Sequence, residues 1–327
     1  MSDLLFTVNA MAPIVTMVLI GYILKKIGLI DASLAKSLNK IVFKFFLPMM
    51  LFLNVYKIKS IGDIDPGYII FVIIAVLILF ALALAVIPFI TKDPRRKGVI
   101  AQAAFRSNYA LIGIPLAKSI YGSDGVMIAS LLSAITIPLF NILAVVCLSI
   151  YSDEKKKTNV KKILLDIIKN PLVDAIAIGC LFLVIRAIFE EVGISFRLSD
   201  VDWLYSGVFE DISAVATPLA LVALGAEFEF SAVKEMKKEI ICGTIFKCII
   251  APVLALAAAL SIGKFSGAHY AVFVSTFGTS IAISTVPMAQ QMGSDHRLAG
   301  QLVVWTTITS AFTLFAFIFI LRKMGMF

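Results

Sequence analysis

The sequence predicts an all-α polytopic membrane protein: ten transmembrane helices in two inverted five-helix repeats, with the fourth and ninth helices broken where they cross. Three observations carry this. Of 327 residues, 60% are hydrophobic and 15% charged, at a mean hydropathy of +1.00, far above a water-soluble domain. Apolar runs of about 20 residues, each enough to cross a ~30 Å hydrocarbon core, recur along the whole length. Turn and breaker motifs repeat in the same order in both halves.

The runs place spans at 4–24, 38–56, 67–90, 98–117, 125–150, 170–189, 206–226, 239–261, 269–291 and 298–321. The first has no basic residues before it and no small-residue cleavage pattern after it, so it reads as a span and not a signal peptide. Cys147, Cys180, Cys242 and Cys248 lie in apolar runs without metal-ligand spacing and read as small core residues. His269 and His296 sit near predicted helix ends, which makes a metal site improbable, and no cofactor is expected.

Net charge is +8, and the position of the basic residues explains it. Eighteen of the 29 fall in loops on one side of the predicted topology and eight on the other. By the positive-inside rule both termini lie outside the cytoplasm, as in a multi-pass protein of the plasma or inner membrane, and no nucleic-acid partner is needed. The partners expected are the lipid bilayer and a small solute, with a homodimer left open. The polar segment 152–169 reads as a cytoplasmic linker between repeats 1–151 and 170–327, its part from Val160 to Ile168 patterned as an amphipathic interfacial helix.

The repeat is read from motifs. Gly113-Ile114-Pro115 leads to Gly122-Ser123-Asp124, and Thr285-Val286-Pro287 leads to Gly293-Ser294-Asp295, at an offset of 171 to 172. Pro48 and Pro218 match at 170, and Gly21 and Gly179 occupy equivalent places at a shorter offset. Five spans per half is an odd number, so the second repeat enters the bilayer inverted.

Spans four and nine mix polar residues with helix breakers at membrane depth. In the fourth these are Arg106, Ser107, Asn108, Gly113 and Pro115; in the ninth, Thr279, Ser280, Ser284, Thr285 and Pro287. Proline frees a carbonyl that protein or water must satisfy, so such a span expects a cavity beside it. Half-helix N-termini meeting at the midplane offer partial positive charge to a carboxylate, and the C-terminal ends offer carbonyls to a cation. The other reading, prolines that merely kink packed helices while hydroxyls bond their own backbone, stays open.

Here the chain resembles the auxin efflux carrier family. The resemblance rests on Arg106-Ser107-Asn108 with Gly113-Ile114-Pro115-Leu116, on Ile41 to Asn54 with Pro48, on Thr217-Pro218-Leu219-Ala220-Leu221 with Gly225, and on Ser284-Thr285-Val286-Pro287. It implies a scaffold and a crossover domain, a fold akin to bile acid sodium symporters and sodium/proton antiporters, and movement of small organic anions: auxin in plants, malate- or malonate-like carboxylates in bacteria. The short central loop fits the bacterial type. The family's binding amide carries onto Asn108 and its crossover prolines onto Pro115 and Pro287, whereas Ser280, the repeat mate of Asn108, is no amide.

The candidate substrate-binding residues are thus Asn54, Arg106, Asn108, Gly113, Pro115, Ser280, Ser284, Thr285 and Pro287. Arg106 either draws a carboxylate into the pathway or snorkels to the interface. Lys44 is placed to snorkel. Lys247 sits deeper and is paired in this reading with Asp174, which, with Thr279 and Gln290, is a candidate for sodium or proton coupling; uniport stays open too. The expected function is a secondary transporter working by alternating access, not an enzyme, with an ion-coupled symporter of another solute, a channel and a sensor as alternatives.

Overall fold

Helix is the regular structure of the described residues, as a chain this apolar requires: within hydrocarbon a backbone must bond to itself, and a helix does so within one segment. The computed structural model describes residues 2–57, 66–151, 165, 168–191, 193, 197–229, 231–265 and 267–326, with backbone alone for 2–11, 190, 191 and 231. Most of the linker, and with it the expected interfacial helix, lies outside the described residues.

The helices are α1 Ser2–Lys26, α2 Ala32–Tyr56, α3 Pro66–Ile90, α4 Pro94–Phe105, α5 Ile114–Ile150, α6 Pro171–Glu191, α7 Asp202–Glu227, α8 Ser231–Glu235, α9 Lys237–Ile262, α10 Gly267–Gly278, α11 Thr285–Gln291 and α12 His296–Lys323. Wide π-turns interrupt α2 at Val42–Phe46, α7 at Tyr205–Glu210 and α9 at Phe246–Ile250, and one precedes α5 at Tyr109–Gly113.

Among the described residues seven stretches are long and apolar enough to cross a membrane: Ala32–Tyr56, Pro66–Ile90, Pro94–Ile150, Pro171–Phe189, Asp202–Glu227, Lys237–Ile262 and His296–Lys323. The expected fourth and fifth spans share one of them. Its 57 residues would reach about 85 Å as a straight helix, and they do not run straight. Residues 106–108 leave the helix, and the chain turns again at Tyr121 and Gly122, where Gly122 adopts φ +63°, a conformation open to a residue without Cβ. The expected ninth span is divided into α10 of 12 residues and α11 of 7.

Helix starts differ from those expected. α2 begins at Ala32, ahead of residue 38, because the Asp31 carboxylate accepts from the Leu34 N–H at 2.7 Å and caps the first turn. Asp295 caps α12 in the same way, accepting from Leu298 at 3.0 Å.

Small residues set the close crossings, as packing in lipid favours. α1 lies on α7 through Gly21 and Gly225: a Cβ on either would run into a backbone carbonyl opposite, of Val222 and Val18 respectively. α2 lies on α6 through Gly179, where a Cβ would stand 2.9 Å from Val55 Cβ and 3.2 Å from the Phe52 carbonyl oxygen. α3 packs on α10 through rings, with Phe273 5.0 Å from both Tyr68 and Phe71, centroid to centroid. At one end of the molecule Arg96 of α4, besides the neighbouring Asp93 at 3.6 Å, holds three carboxylates of the second half, Glu235 at 3.0 Å, Glu239 at 3.1 Å and Asp295 at 3.1 Å, and so ties the first half of the chain to α8, α9 and the start of α12.

Candidate functional site

The two interrupted segments meet backbone to backbone. α4 ends at Phe105, and Arg106, at φ −81° and ψ 131°, opens an extended stretch. The Asn108 N–H, which has no helical acceptor there, donates to the Ser280 carbonyl at 2.8 Å. The adjacent hydroxyls of Ser107 and Thr279 bond each other. Chain direction is recovered on both sides: Asn108 O accepts from Ile112 N at 3.0 Å, opening the second half of the fourth span, and α11 starts at Thr285.

Pro287 falls in the first turn of α11, where an N–H would lack an intrahelical acceptor. Pro115 follows directly on the wide turn Tyr109–Gly113, inside the resumed fourth-span helix. Gly113 allows the close approach of this segment to α10: a Cβ there would lie 2.5 Å from the Tyr109 ring and 3.0 Å from the Ser275 carbonyl oxygen. Tyr109 is anchored in turn by its hydroxyl, which donates to the Ala129 carbonyl at 2.9 Å.

Beside the crossing is a cavity of about 530 Å³, its open mouth included. Its walls include Asn54 from α2, Thr217 from α7, Asn141 from α5, and the chain on the C-terminal side of both breaks, Asn108 to Leu111 and Ala282 to Ser284. The first turn of the resumed fourth span and the residues leading into α11 therefore border the same space.

Arg106 is the charged residue on these walls and is 1% exposed, so it does not snorkel. Its guanidinium donates to Gln102 Oε1 at 2.6 Å, Ser284 Oγ at 2.7 Å, Asn141 Oδ1 at 2.9 Å and Met288 Sδ at 3.3 Å. Every one of these partners is neutral, and among the described residues no carboxylate lies within 4.0 Å of it. A buried cation held by uncharged acceptors keeps its field available to an anion in the adjoining space. Asn108 supports the same use: its side-chain Nδ2 is buried with no hydrogen-bond partner among the described residues, a donor of the kind a ligand oxygen would satisfy.

Of the candidates read from sequence, Asn54, Arg106, Asn108 and Ser284 are brought together on the cavity wall. Gly113, Pro115, Ser280, Thr285 and Pro287 shape the crossing from behind it. Ser280 gives its carbonyl to Asn108, and its buried hydroxyl, like that of Thr285, has no partner among the described residues. Thr279 spends its hydroxyl on Ser107 and on the Ser275 carbonyl at 3.1 Å.

Gln290 lies apart, its Nε2 on Glu227 Oε1 at 3.0 Å. The pairing of Lys247 with Asp174 is not made. Asp174 is exposed in the first turn of α6, while Lys247 is 1% exposed and donates to the Phe277 carbonyl near the end of α10 at 3.2 Å. The reason is positional: Asn170 caps α6 at its very start, its side-chain Oδ1 accepting from Leu172 at 3.0 Å, which leaves Asp174 at a helix end. Lys44 is exposed, as its expected snorkelling requires.

Gln102, Asn141 and Thr217 were not among the candidates read from sequence, although Thr217 stands in one of the motifs of the resemblance. Gln102 and Asn141 carried the same signal as Asn108, an amide inside an apolar run, but neither leads into a Gly-x-Pro motif.

A family model described as membrane transport protein matches residues 6–318. The chain is 22% identical over 309 residues to an uncharacterized transporter of Methanothermobacter thermautotrophicus, covering 92% of this chain and 94% of that one. It is 27% identical over 247 residues to an uncharacterized transporter of Methanocaldococcus jannaschii, covering 74% and 75%.

Proposed function

The chain belongs to the membrane transport protein family, that of the auxin efflux carriers, and from that premise we propose that it carries a small organic anion, a mono- or dicarboxylate, by alternating access at the crossing of its two broken helices. The observation that carries this reading is Arg106. It is a fully buried cation on the cavity wall, bonded to an amide, a thioether, a second amide and a hydroxyl, and it has no carboxylate partner among the described residues. Leaving a charge so placed costs about 2.5–3.5 kcal/mol even on mild scales, and a carboxylate entering the cavity offsets that cost while it is bound.

The start of the resumed fourth span adds to the site. Its first turn, Tyr109 to Leu111, borders the cavity, so its partial positive charge falls on the same volume as the guanidinium. Asn108 Nδ2 then supplies a directed donor. A neutral solute would gain little from Arg106, and a cation would be repelled by it.

The architecture we infer is ten spans in an inverted five-plus-five repeat, with both termini outside. It is supported by the pairs Ser107 with Thr279 and Asn108 with Ser280, each 172 residues apart. Residues meet their own repeat mates only on a symmetry axis. The packing of α1 on α7 and of α6 on α2, each through the equivalent glycines Gly21 and Gly179, fits the same axis.

The experiment is counterflow in proteoliposomes with a panel of mono- and dicarboxylates and their uncharged amides, sodium and pH varied. Trans-stimulated exchange of a carboxylate and none of its amide is expected. Exchange of the amide as fast as the acid would overturn the anion reading.

A further inference from the structure

Away from this cavity, α9, α12 and the short helix before α9 enclose a second groove, about 940 Å³ of empty space with its open mouth counted. One end is basic, with Lys234 and Lys237, and the body is apolar, with Val233, Ile240, Ile241 and Ile245. Lys237, Ile241, Thr244 and Ile245 follow the spacing of one helix face. The two ammonium groups are unspent. Among the described residues neither has a carboxylate within 4.0 Å, because the neighbouring acids are used elsewhere, Glu239 on Arg96 and Glu235 on Arg96 and Arg297. Lys238, by contrast, reaches the Phe89 carbonyl at 3.4 Å.

Two further observations say what fits. Midway along the groove the Thr244 hydroxyl is buried without a hydrogen-bond partner among the described residues, although a helical threonine ordinarily bonds the carbonyl one turn back. The apolar face runs past it as an exposed stripe of Ile241, Ile245, Ile249 and Val253, each 43–45% exposed. That stripe is about 18 Å long at helical rise, against ~15 Å for one leaflet of a ~30 Å core. Trp305 stands on the opposite wall, with its indole N–H on Gln301 Oε1 at 3.2 Å, in keeping with the headgroup level where such rings collect.

We propose that this groove binds one anionic phospholipid, its phosphate between Lys234 and Lys237 and one acyl chain along Ile241, Ile245, Ile249 and Val253. Charge complementarity selects the anionic headgroup, and the apolar lane selects a lipid over a free phosphate. The site needs only that the chain spans a bilayer, so it stands or falls separately from the anion reading above.

The chain has two tryptophans, and Trp203→Phe leaves Trp305 as a reporter inside the groove. The protein is reconstituted in phosphatidylcholine and titrated with phosphatidylglycerol or phosphatidylcholine carrying brominated acyl chains, which quench indole on contact. Brominated phosphatidylglycerol is expected to saturate its quenching while still a minor lipid, and brominated phosphatidylcholine to quench in proportion to its abundance. Lys234→Gln with Lys237→Gln is expected to weaken the phosphatidylglycerol response about fivefold or more, and the Lys→Arg pair to preserve it. Both lysines are exposed, so neither exchange disturbs packing. Equal quenching by the two lipids, a preference that survives the Gln pair, or a Trp305 that neither lipid reaches would each overturn the proposal.

Discussion

The backbone N–H of Asn108 donates to the carbonyl of Ser280 at 2.8 Å, so the residue carrying the site's free amide is fixed by its own counterpart in the other half of the chain. The amide side chain is thereby aimed by backbone, and changing it leaves the crossing in place. The adjoining contact of Ser107 with Thr279 makes the crossing testable by chemistry. With the native cysteines replaced, Ser107→Cys with Thr279→Cys is expected to form a disulfide under mild oxidant and to arrest exchange, which thiol reduction restores. A pair that stays reduced while each single variant is folded would show that the two segments do not cross here.

Arg106→Lys keeps a charge but loses the fork that reaches Gln102, Asn141 and Ser284 together. Carboxylate affinity is expected to fall about tenfold or more, measured by ligand-induced thermal shift. Arg106→Met should abolish the response and leave three polar side chains without their donor, at about 1–3 kcal/mol each. Undiminished carboxylate binding by Arg106→Met would remove the guanidinium from the site.

Gly225→Ala drives a Cβ into the Val18 carbonyl of α1 and has nowhere to relax but by parting α1 from α7. The expected loss is about 1–3 kcal/mol. Gly207→Ala, with open space around it, is the matched control and is expected to be neutral or to stabilise by up to about 1 kcal/mol. Thermal unfolding of the two variants in detergent checks the difference.

Arg96→Ala leaves Glu235, Glu239 and Asp295 facing one another without their shared cation. Its side chain is 16% exposed, between the surface and buried cases, so the expected cost is about 1–3 kcal/mol. Arg96→Lys should recover part of it, because one ammonium cannot serve three carboxylates in separate directions. The measurement is melting temperature against salt: the deficit of Arg96→Ala should shrink as salt screens the three acids.

The helical class, the membrane setting and the two breaks were legible because each is written locally. Twenty apolar residues in a row, or an amide beside Gly-x-Pro, need no tertiary knowledge to read. Asn54, Arg106, Asn108 and Ser284 were found this way and do share one wall. What could not be read is where side chains from different helices end up. Lys247 and Asp174 formed a pair on charge alone, but Asp174 stands exposed at a helix end and Lys247 meets a carbonyl of α10. Asn141 looked like any polar residue in a packed span until Arg106 was seen to reach it.

The helix starts failed for a related reason. A hydropathy run marks where lipid begins, whereas a capped helix continues into water for as long as its first turn is satisfied. Asp31 therefore sets the start of α2 well before its apolar run.

The central claim is tested most directly by carboxylate counterflow in wild type and Asn108→Ala side by side, with thermal unfolding showing that both are folded. The account predicts saturable, trans-stimulated exchange of a small carboxylate in the wild type and a fall of about 10- to 100-fold in apparent affinity when the amide donor is removed, with the melting temperature little changed. Exchange by Asn108→Ala at the wild-type affinity would contradict it.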